Sequence, residues 1–472
     1  MLAVGCLSVS AKITLPSILS DNMALQQKPD VALWGKAEPG KKVTITPSWN
    51  KKKTTIVADS QTGEWKTRVA TPEAGGPYEI TFSDGEKTTL RNVLIGEVWY
   101  CSGQSNMYMR MDGYPSSPVG GAADAVMKAK ASTPIRICDV PCRESVTPVE
   151  DTGATWKENT PDVVVKSSAL AWFFASYLNE VLGVPVGVLV SSSGGSAIES
   201  LIDRPVMEEK FAKEFDLSFL DNKDAQVGNQ HPSTLFNGQV KALIPFTFKG
   251  MLWYQGCSNV TRPEQYIRLQ TAYVEMMRKY FEVPDAPFYF VQLSPFFYHD
   301  ADAFTLGYFQ EAQQKTLDLI PHSGMAVTTD LGIYDNIHPI NKQDAAKRLA
   351  WLALENDYGV KGIPSKAPTY REMKVEGNVV TLWFDTYADG NASSVGPRGE
   401  QLEGFEVAGE DKVFHKADAM AEWGNYVRVS SPDVEKPVAV RYSFRNFNPG
   451  TLTNAFGIPV CPFRTDDWNI ER

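Results

Sequence analysis

Between about residue 93 and residue 360, short apolar runs alternate with segments of helical period. That alternation restricts the fold more than any other feature of the chain. Strands separated by helices are joined by right-handed crossovers into a parallel sheet, since a tight hairpin joins only antiparallel neighbours. Residues 93–100 read as a first buried strand with Gly96 and Glu97 inside it. Leu170, Phe173, Phe174, Tyr177, Leu178 and Val181 recur at helical spacing and form one apolar face, closed by Gly183 and Pro185. Residues 184–190, 248–254, 288–293 and 325–329 read as further strands. Pro263 opens a helix faced by Tyr266, Leu269, Tyr273, Met276, Met277 and Tyr280. Asn341 is a good N-cap for a last helix that buries Ala345, Leu349, Leu352 and Ala353. The predicted fold class is α/β, a parallel sheet flanked by helices, over residues 93–364.

The flanks have a different texture. Residues 12–92 hold short strand-like runs between turn signals such as Pro39-Gly40, Thr62-Gly63 and Asp84-Gly85, and predict a small antiparallel sandwich. Residues 365–472 turn to β again and predict a second β module packed on the α/β body. Residues 1–11 are small and apolar and end in Ser8-Val9-Ser10-Ala11, which reads as the remnant of a secretory signal and gives the expectation of a periplasmic or secreted protein.

Composition narrows the function. The chain has 472 residues and a net charge of −10, which argues against nucleic acid or an anionic membrane as partner. It has no glycine-rich phosphate loop and no apolar run long enough for a membrane span. Cys138 and Cys142 lack a second ligand pair at metal spacing, so no zinc site is expected, and the oligomeric state is left open.

In a parallel sheet the site lies beyond the carboxyl ends of the strands. Four polar or glycine-rich loops follow strands in this reading. They are Gly103-Gln104-Ser105-Asn106, Ser191 to Ser196 with Gly194-Gly195, Gln255 to Asn259, and Asp335 to His338. Ser105 is the candidate nucleophile. A serine needs an imidazole to take its proton and a group to hold that imidazole in one tautomer. His338 is the best placed of the five histidines, with Asp335 three residues ahead in the same loop. The negative oxygen of an ester-hydrolysis intermediate needs donors already aimed at it. The N–H of Gly195 or, less favoured, Gly194, the N–H of Ser105 and the amide of Asn259 are the candidates, although a Gly-Gly pair also reads as a simple tight turn. Trp253 and Tyr254 read as core, and Glu199 is open between a sugar contact and a helix cap.

These four segments, Gly-Gln-Ser-Asn, Ser-x-Gly-Gly-x-x-Ile-Glu, Trp-Tyr-Gln-Gly-x-x-Asn and Asp-x-x-His-Pro, stand in an order that resembles the sialate O-acetylesterases, members of the SGNH hydrolase group of carbohydrate esterases. The resemblance runs from Leu15 to the Pro462-Phe463-Arg464 region. It implies Ser105 as nucleophile, His338 as general base and then acid, Asp335 as its orienter, and Ser105, Gly195 and Asn259 as the oxyanion hole. Gln104 and Gln255, inside the same motifs, are candidates for substrate contact. It also implies O-acetylated carbohydrate as substrate, most of all 9-O-acetylated sialic acid, with no cofactor. Acetylxylan or another polysaccharide is the alternative substrate, and a non-catalytic carbohydrate-binding protein the third reading. One position departs from the pattern: after Gln255-Gly256 the family usually has Glu, and this chain has Cys257. Cys101 and Cys257 each follow or end a predicted strand, which raises the expectation of a disulfide between them.

Overall fold

The computed structural model describes residues 13–362 and 364–468, so the expectation for residues 1–11 lies outside the described residues. Its centre is six strands: β1 (Lys87–Gly103), β2 (Ile135–Asp139), β3 (Val186–Ser192), β4 (Gly250–Tyr254), β5 (Phe288–Val291) and β6 (Ser323–Ala326). They lie in the order β6-β5-β4-β1-β3-β2, each parallel to its neighbour. Every residue of β3, β4 and β5 is buried, which is why these strands read as unbroken apolar runs instead of alternating ones. The run Ile135-Arg136-Ile137 carries a charge in a short strand and was not among the expected strands. The structure pairs it to β3 and adds an antiparallel edge, Lys157–Glu158.

Helices α1 (Ser105–Tyr108), α2 (Ala169–Leu182), α3 (Pro263–Tyr280), α4 (Thr305–Leu319) and α5 (Lys342–Asn356) connect and cover the sheet. The Ser168 hydroxyl caps α2 by accepting from the N–H of Ala171, and Gly183 ends it in the left-handed conformation. Asn341 caps α5 by accepting from the N–H of Asp344 at 3.1 Å. α2 packs on α5, and α3 on α4.

The expected boundary at residue 92 falls inside β1, a continuous strand of 17 residues. Its first half pairs antiparallel with Gly75–Ser83, and its middle runs parallel with Ala24–Gln26. The N-terminal β layer is therefore part of one mixed sheet of 11 strands, and its residues Leu33, Ile45 and Phe82 share a core with those of the α/β body. Only Asp30–Lys36 and Glu64–Ala70 form a sheet of their own.

The C-terminal module does have its own core, around Val380, Leu382, Val407, Val427 and Val440, between two antiparallel sheets of 4 strands each. It docks on the body through buried Arg441. That guanidinium is held by Asp466 at 2.8 Å and lies 4.4 Å from the ring of Phe304, the residue that leads into α4. Burial of a bidentate, ring-stacked arginine is tolerated because its charge is matched at once.

Candidate active site

β1 lies mid-sheet, with β3 and β4 as its two neighbours, so chain ends from three strands meet at one rim. Gly103 ends β1 at φ +141°, and a Cβ there would lie 2.1 Å from the carbonyl oxygen of Tyr254. Only glycine lets β1 approach β4 this closely before the chain turns into α1. Ser105 is the first residue of that single helical turn, and its N–H, as an N-terminal helical donor, has no acceptor among the described residues.

The residues beside Ser105 act as two braces. Gln104 is buried, and its Oε1 accepts from the N–H of Gly256 at 2.8 Å, tying the serine turn to the β4 loop. Asn106 donates from Nδ2 to the carbonyl of Ile337 at 3.0 Å, tying the same turn to the histidine loop. Asn336 secures that loop from the other side. Its Oδ1 accepts from the N–H of His338 at 2.9 Å, and its Nδ2 donates to Ser117 Oγ at 2.6 Å. The ring of Tyr114 lies 4.9 Å from the imidazole. The outcome is a distance of 2.9 Å between His338 Nε2 and Ser105 Oγ, across 233 residues of chain.

Burial and, secondarily, the nearby ammonium of Lys342 push the His338 pKa down to about 4. The ring is therefore neutral at physiological pH, the state that can accept a proton. Asp335 lies differently from its expected place. It is exposed, and among the described residues it makes no hydrogen bond or ion pair and Nδ1 of His338 has no hydrogen-bond partner. The turn over Ile333–Asn336 directs the Asn336 side chain, not that of Asp335, toward the histidine backbone.

On the β3 and β4 side, Gly195 stands at φ +73°. Its carbonyl accepts from Ser258 Oγ at 2.9 Å and Gln230 Nε2 at 3.0 Å, while its N–H has no acceptor. The Cβ direction of Gly194 faces the Ser105 side chain at 3.9 Å, so this glycine borders the serine and Gly195 follows it in the same loop. Asn259 is fully buried. Its Oδ1 accepts from Gln255 Nε2 at 2.7 Å and from the N–H of Ile198 at 3.2 Å, and its Nδ2 donates to Glu199 Oε2 at 2.8 Å. The other carboxylate oxygen of Glu199 accepts from Arg262 Nη2 at 2.7 Å. Glu199 thus settles as a brace for Asn259.

Gln104 and Gln255 are buried; Gln104 Oε1 accepts from the N–H of Gly256, and Gln255 Nε2 donates to the carbonyl of Ser196 and to Asn259 Oδ1. One expectation is corrected here. Cys101 and Cys257 are both free thiols, because Cys101 stays inside β1 and directs its Sγ toward the carbonyl of Trp99.

Sequence reasoning missed Lys342. As the first residue of α5 it looked like an ordinary helix-start charge, yet it is 1% exposed. Its Nζ donates to Asn106 Oδ1 at 2.6 Å and lies 5.7 Å from the ring of Tyr254, with no carboxylate of the described residues in ion-pair range. Burial lowers its pKa to about 7, against the pull of Cys257. Burial pushes the Cys257 thiol up to about 11. Nothing in the local sequence signals this, since the burying partners come from α1 and β4.

The same residues lie within a stretch, 95–351, that matches the sequence model of a family described as carbohydrate esterase, sialic acid-specific acetylesterase. The chain is similar to sialate O-acetylesterases of Homo sapiens (30% identical, 76% of this chain and 74% of that one) and Mus musculus (28% identical, 82% of each). Among solved structures it is similar to a carbohydrate acetylesterase from Xanthomonas citri, with a TM-score of 0.85 and 34% identity over 97% of this chain and all of that one.

Proposed function

The chain belongs to the carbohydrate esterase family of sialic acid-specific acetylesterases and is an esterase; on that premise we propose that it cleaves sugar O-acetyl groups through an acetyl-Ser105 intermediate on an SGNH-type framework. The observation that carries this reading is the 2.9 Å approach of His338 Nε2 to Ser105 Oγ, with the N–H of Ser105 and, in the loop that borders the serine, that of Gly195 lacking acceptors among the described residues. The serine hydroxyl donates to neutral Nε2. As its oxygen attacks the acetyl carbonyl, the proton passes to the imidazole, and the carbonyl oxygen takes up negative charge between the N–H groups of Ser105 and Gly195. Asn259 serves with the one amide hydrogen that Glu199 does not take. When the tetrahedral intermediate collapses, the sugar oxygen leaves with the proton from His338. Water then repeats the sequence against the acetyl-enzyme, releasing acetate and restoring the serine.

Asp335 is assigned the Nδ1 side of the ring, a role that requires its side chain to turn inward when substrate binds. Asp335→Asn should lower kcat by about 10²-fold or more. An undiminished kcat would remove Asp335 from the mechanism and leave a Ser-His pair.

Sialic acid acetylated at O9 is the preferred substrate, on the strength of the sialate O-acetylesterase relatives. The second reading is acetylxylan or another acetylated polysaccharide, with which the likeness to the Xanthomonas citri carbohydrate acetylesterase is equally compatible. Ser105→Ala should reduce turnover of 4-nitrophenyl acetate by roughly 10⁵-fold with the circular dichroism spectrum unchanged. Full activity in that variant sinks the assignment. A panel of 9-O-acetyl sialosides against acetylxylan separates the two substrate readings by kcat/KM.

A further inference from the structure

A cavity of about 200 Å³ opens next to the turn that carries Ser105, between α1 and the carboxyl ends of β2 and β3. No group of the Ser105–His338 pair lines it. Its wall includes Tyr108, which follows Ser105 by three residues, Arg110, Asp139 at the end of β2, Lys166 and Ser192 at the end of β3. Ser192 directly precedes the Ser193-Gly194-Gly195 loop, so the cavity and the candidate oxyanion site share a border.

The polar groups here are prepared for a ligand. Ser192 is buried, and its hydroxyl has no hydrogen-bond partner. Such a group costs free energy until something bonds to it. Asp139 makes no ion pair, and the neighbouring Ser167 hydroxyl donates to the carbonyl of Val163 at 2.8 Å. Burial raises the Asp139 pKa to about 6. Arg110 is held in place by both carboxylate oxygens of Asp112, which leaves Nη1 as a fixed donor. Tyr108 is 40% exposed and offers an aromatic face.

The formal charges cancel. Arg110 is matched by Asp112, and Lys166 faces the same space as Asp139, so no surplus cation is present for a carboxylate or phosphate. Fixed donors, an acceptor carboxylate able to take two adjacent hydroxyls, an unsatisfied serine and a ring for C–H contacts suit an uncharged polyhydroxyl ring.

We propose that this cavity binds a second, uncharged sugar residue of the glycan whose acetyl ester reaches Ser105. The inference rests on the acetylesterase reading and adds to it: the substrate extends past the acetylated unit, and the extension is neutral.

The test compares kcat/KM for an acetylated single sugar and its acetylated trisaccharide, 9-O-acetyl sialic acid against 9-O-acetyl sialyllactose and acetylated xylose against acetylated xylotriose, read in the pair that is turned over, with 4-nitrophenyl acetate as reference. The wild type should prefer the trisaccharide by about tenfold, the worth of one or two net hydrogen bonds. Tyr108→Ala and, separately, Asp139→Ala should bring that ratio close to one. Tyr108 is at the surface, so its variant reports even where loss of Asp139 weakens folding. Equal kcat/KM for the two sugars in the wild type overturns the proposal. So does a ratio that survives both substitutions, a stronger preference for a uronate-bearing trisaccharide, or turnover of 4-nitrophenyl acetate with none of either sugar. Loss of 4-nitrophenyl acetate turnover in the wild type would sink the esterase reading itself.

Discussion

Two buried charges flank Ser105, and the fold treats them in opposite ways. Glu199, toward β3 and β4, has both carboxylate oxygens occupied, one by Asn259 and one by the guanidinium of Arg262. Lys342, toward α5, has a neutral amide oxygen, an aromatic face and a thiol, and no carboxylate. A buried charge with a matched partner stays charged and fixes its neighbours, whereas one without a partner loses its charge more easily. The first arrangement therefore suits a job of geometry, holding Asn259 and the glycine loop. The second suits a job of electrostatics, since Lys342 is close enough to help depress the His338 pKa. Cys257 is the titratable neighbour that acts on Lys342, and a thiol held protonated by burial gives the ammonium no anion.

Breaking the matched side should cost most. Glu199→Ala leaves the buried Nδ2 of Asn259 without its acceptor, while Arg262, which is partly exposed and keeps Gln265, loses less. A loss of about 2 kcal/mol in urea unfolding is expected for a buried donor left unsatisfied. A fall in kcat of roughly 10²-fold is expected for a misplaced oxyanion donor. If stability and kcat both hold, the matched cluster has no positioning role.

Lys342→Met deletes the unmatched charge and should be far milder in stability, within about 1 kcal/mol at neutral pH, because burying the charge costs much of what its contacts return. Its signature is in pH. Without the ammonium, the His338 pKa rises, so the acid limb of the kcat/KM profile should move up by about one pH unit. An unmoved limb separates Lys342 from the histidine. Stability carries a second sign. Folded Lys342 loses its proton near pH 7, and the unfolded side chain holds it to about 10.5. Between those values the unfolded chain binds more protons, so the wild type should gain stability relative to Lys342→Met as the pH rises through that window.

The smallest effect is expected from Cys257→Glu, which gives Lys342 a carboxylate and makes the two sides alike. The acid limb should shift upward by less than in Lys342→Met, with kcat at its plateau changed by less than about threefold. A large loss of kcat would show that the thiol itself matters to the site.

Much of this arrangement was legible in one dimension. Gly103 to Asn106, Gly194-Gly195, Gln255 to Asn259 and the His338 loop were each found at the end of an apolar run, and the parallel order of the strands brings three of them around β1. The caps of α2 and α5 were equally local, since a Ser or Asn side chain reaches its own helix. The N-terminal layer was less legible. Its strands and turns were visible, but the continuity of β1 across residue 92 was not, because a strand that passes from one layer into another shows no break in pattern.

The chain alone determined which residue types stand where strands end, since periodicity, turn chemistry and capping depend on neighbours a few positions away. Only the tertiary structure decided how those residues are used. Asn106 was a motif letter until Ile337 and Lys342 came within 3.0 Å of its side chain from more than 200 positions downstream. Asp335 reads as the histidine's partner, yet the loop turns it outward and Asn336 in. Lys342 carries no local mark of burial, yet α1 and β4 close over it. The physical reason is the same in all three cases: burial and charge compensation belong to pairs of residues distant in the chain, and no local pattern records them.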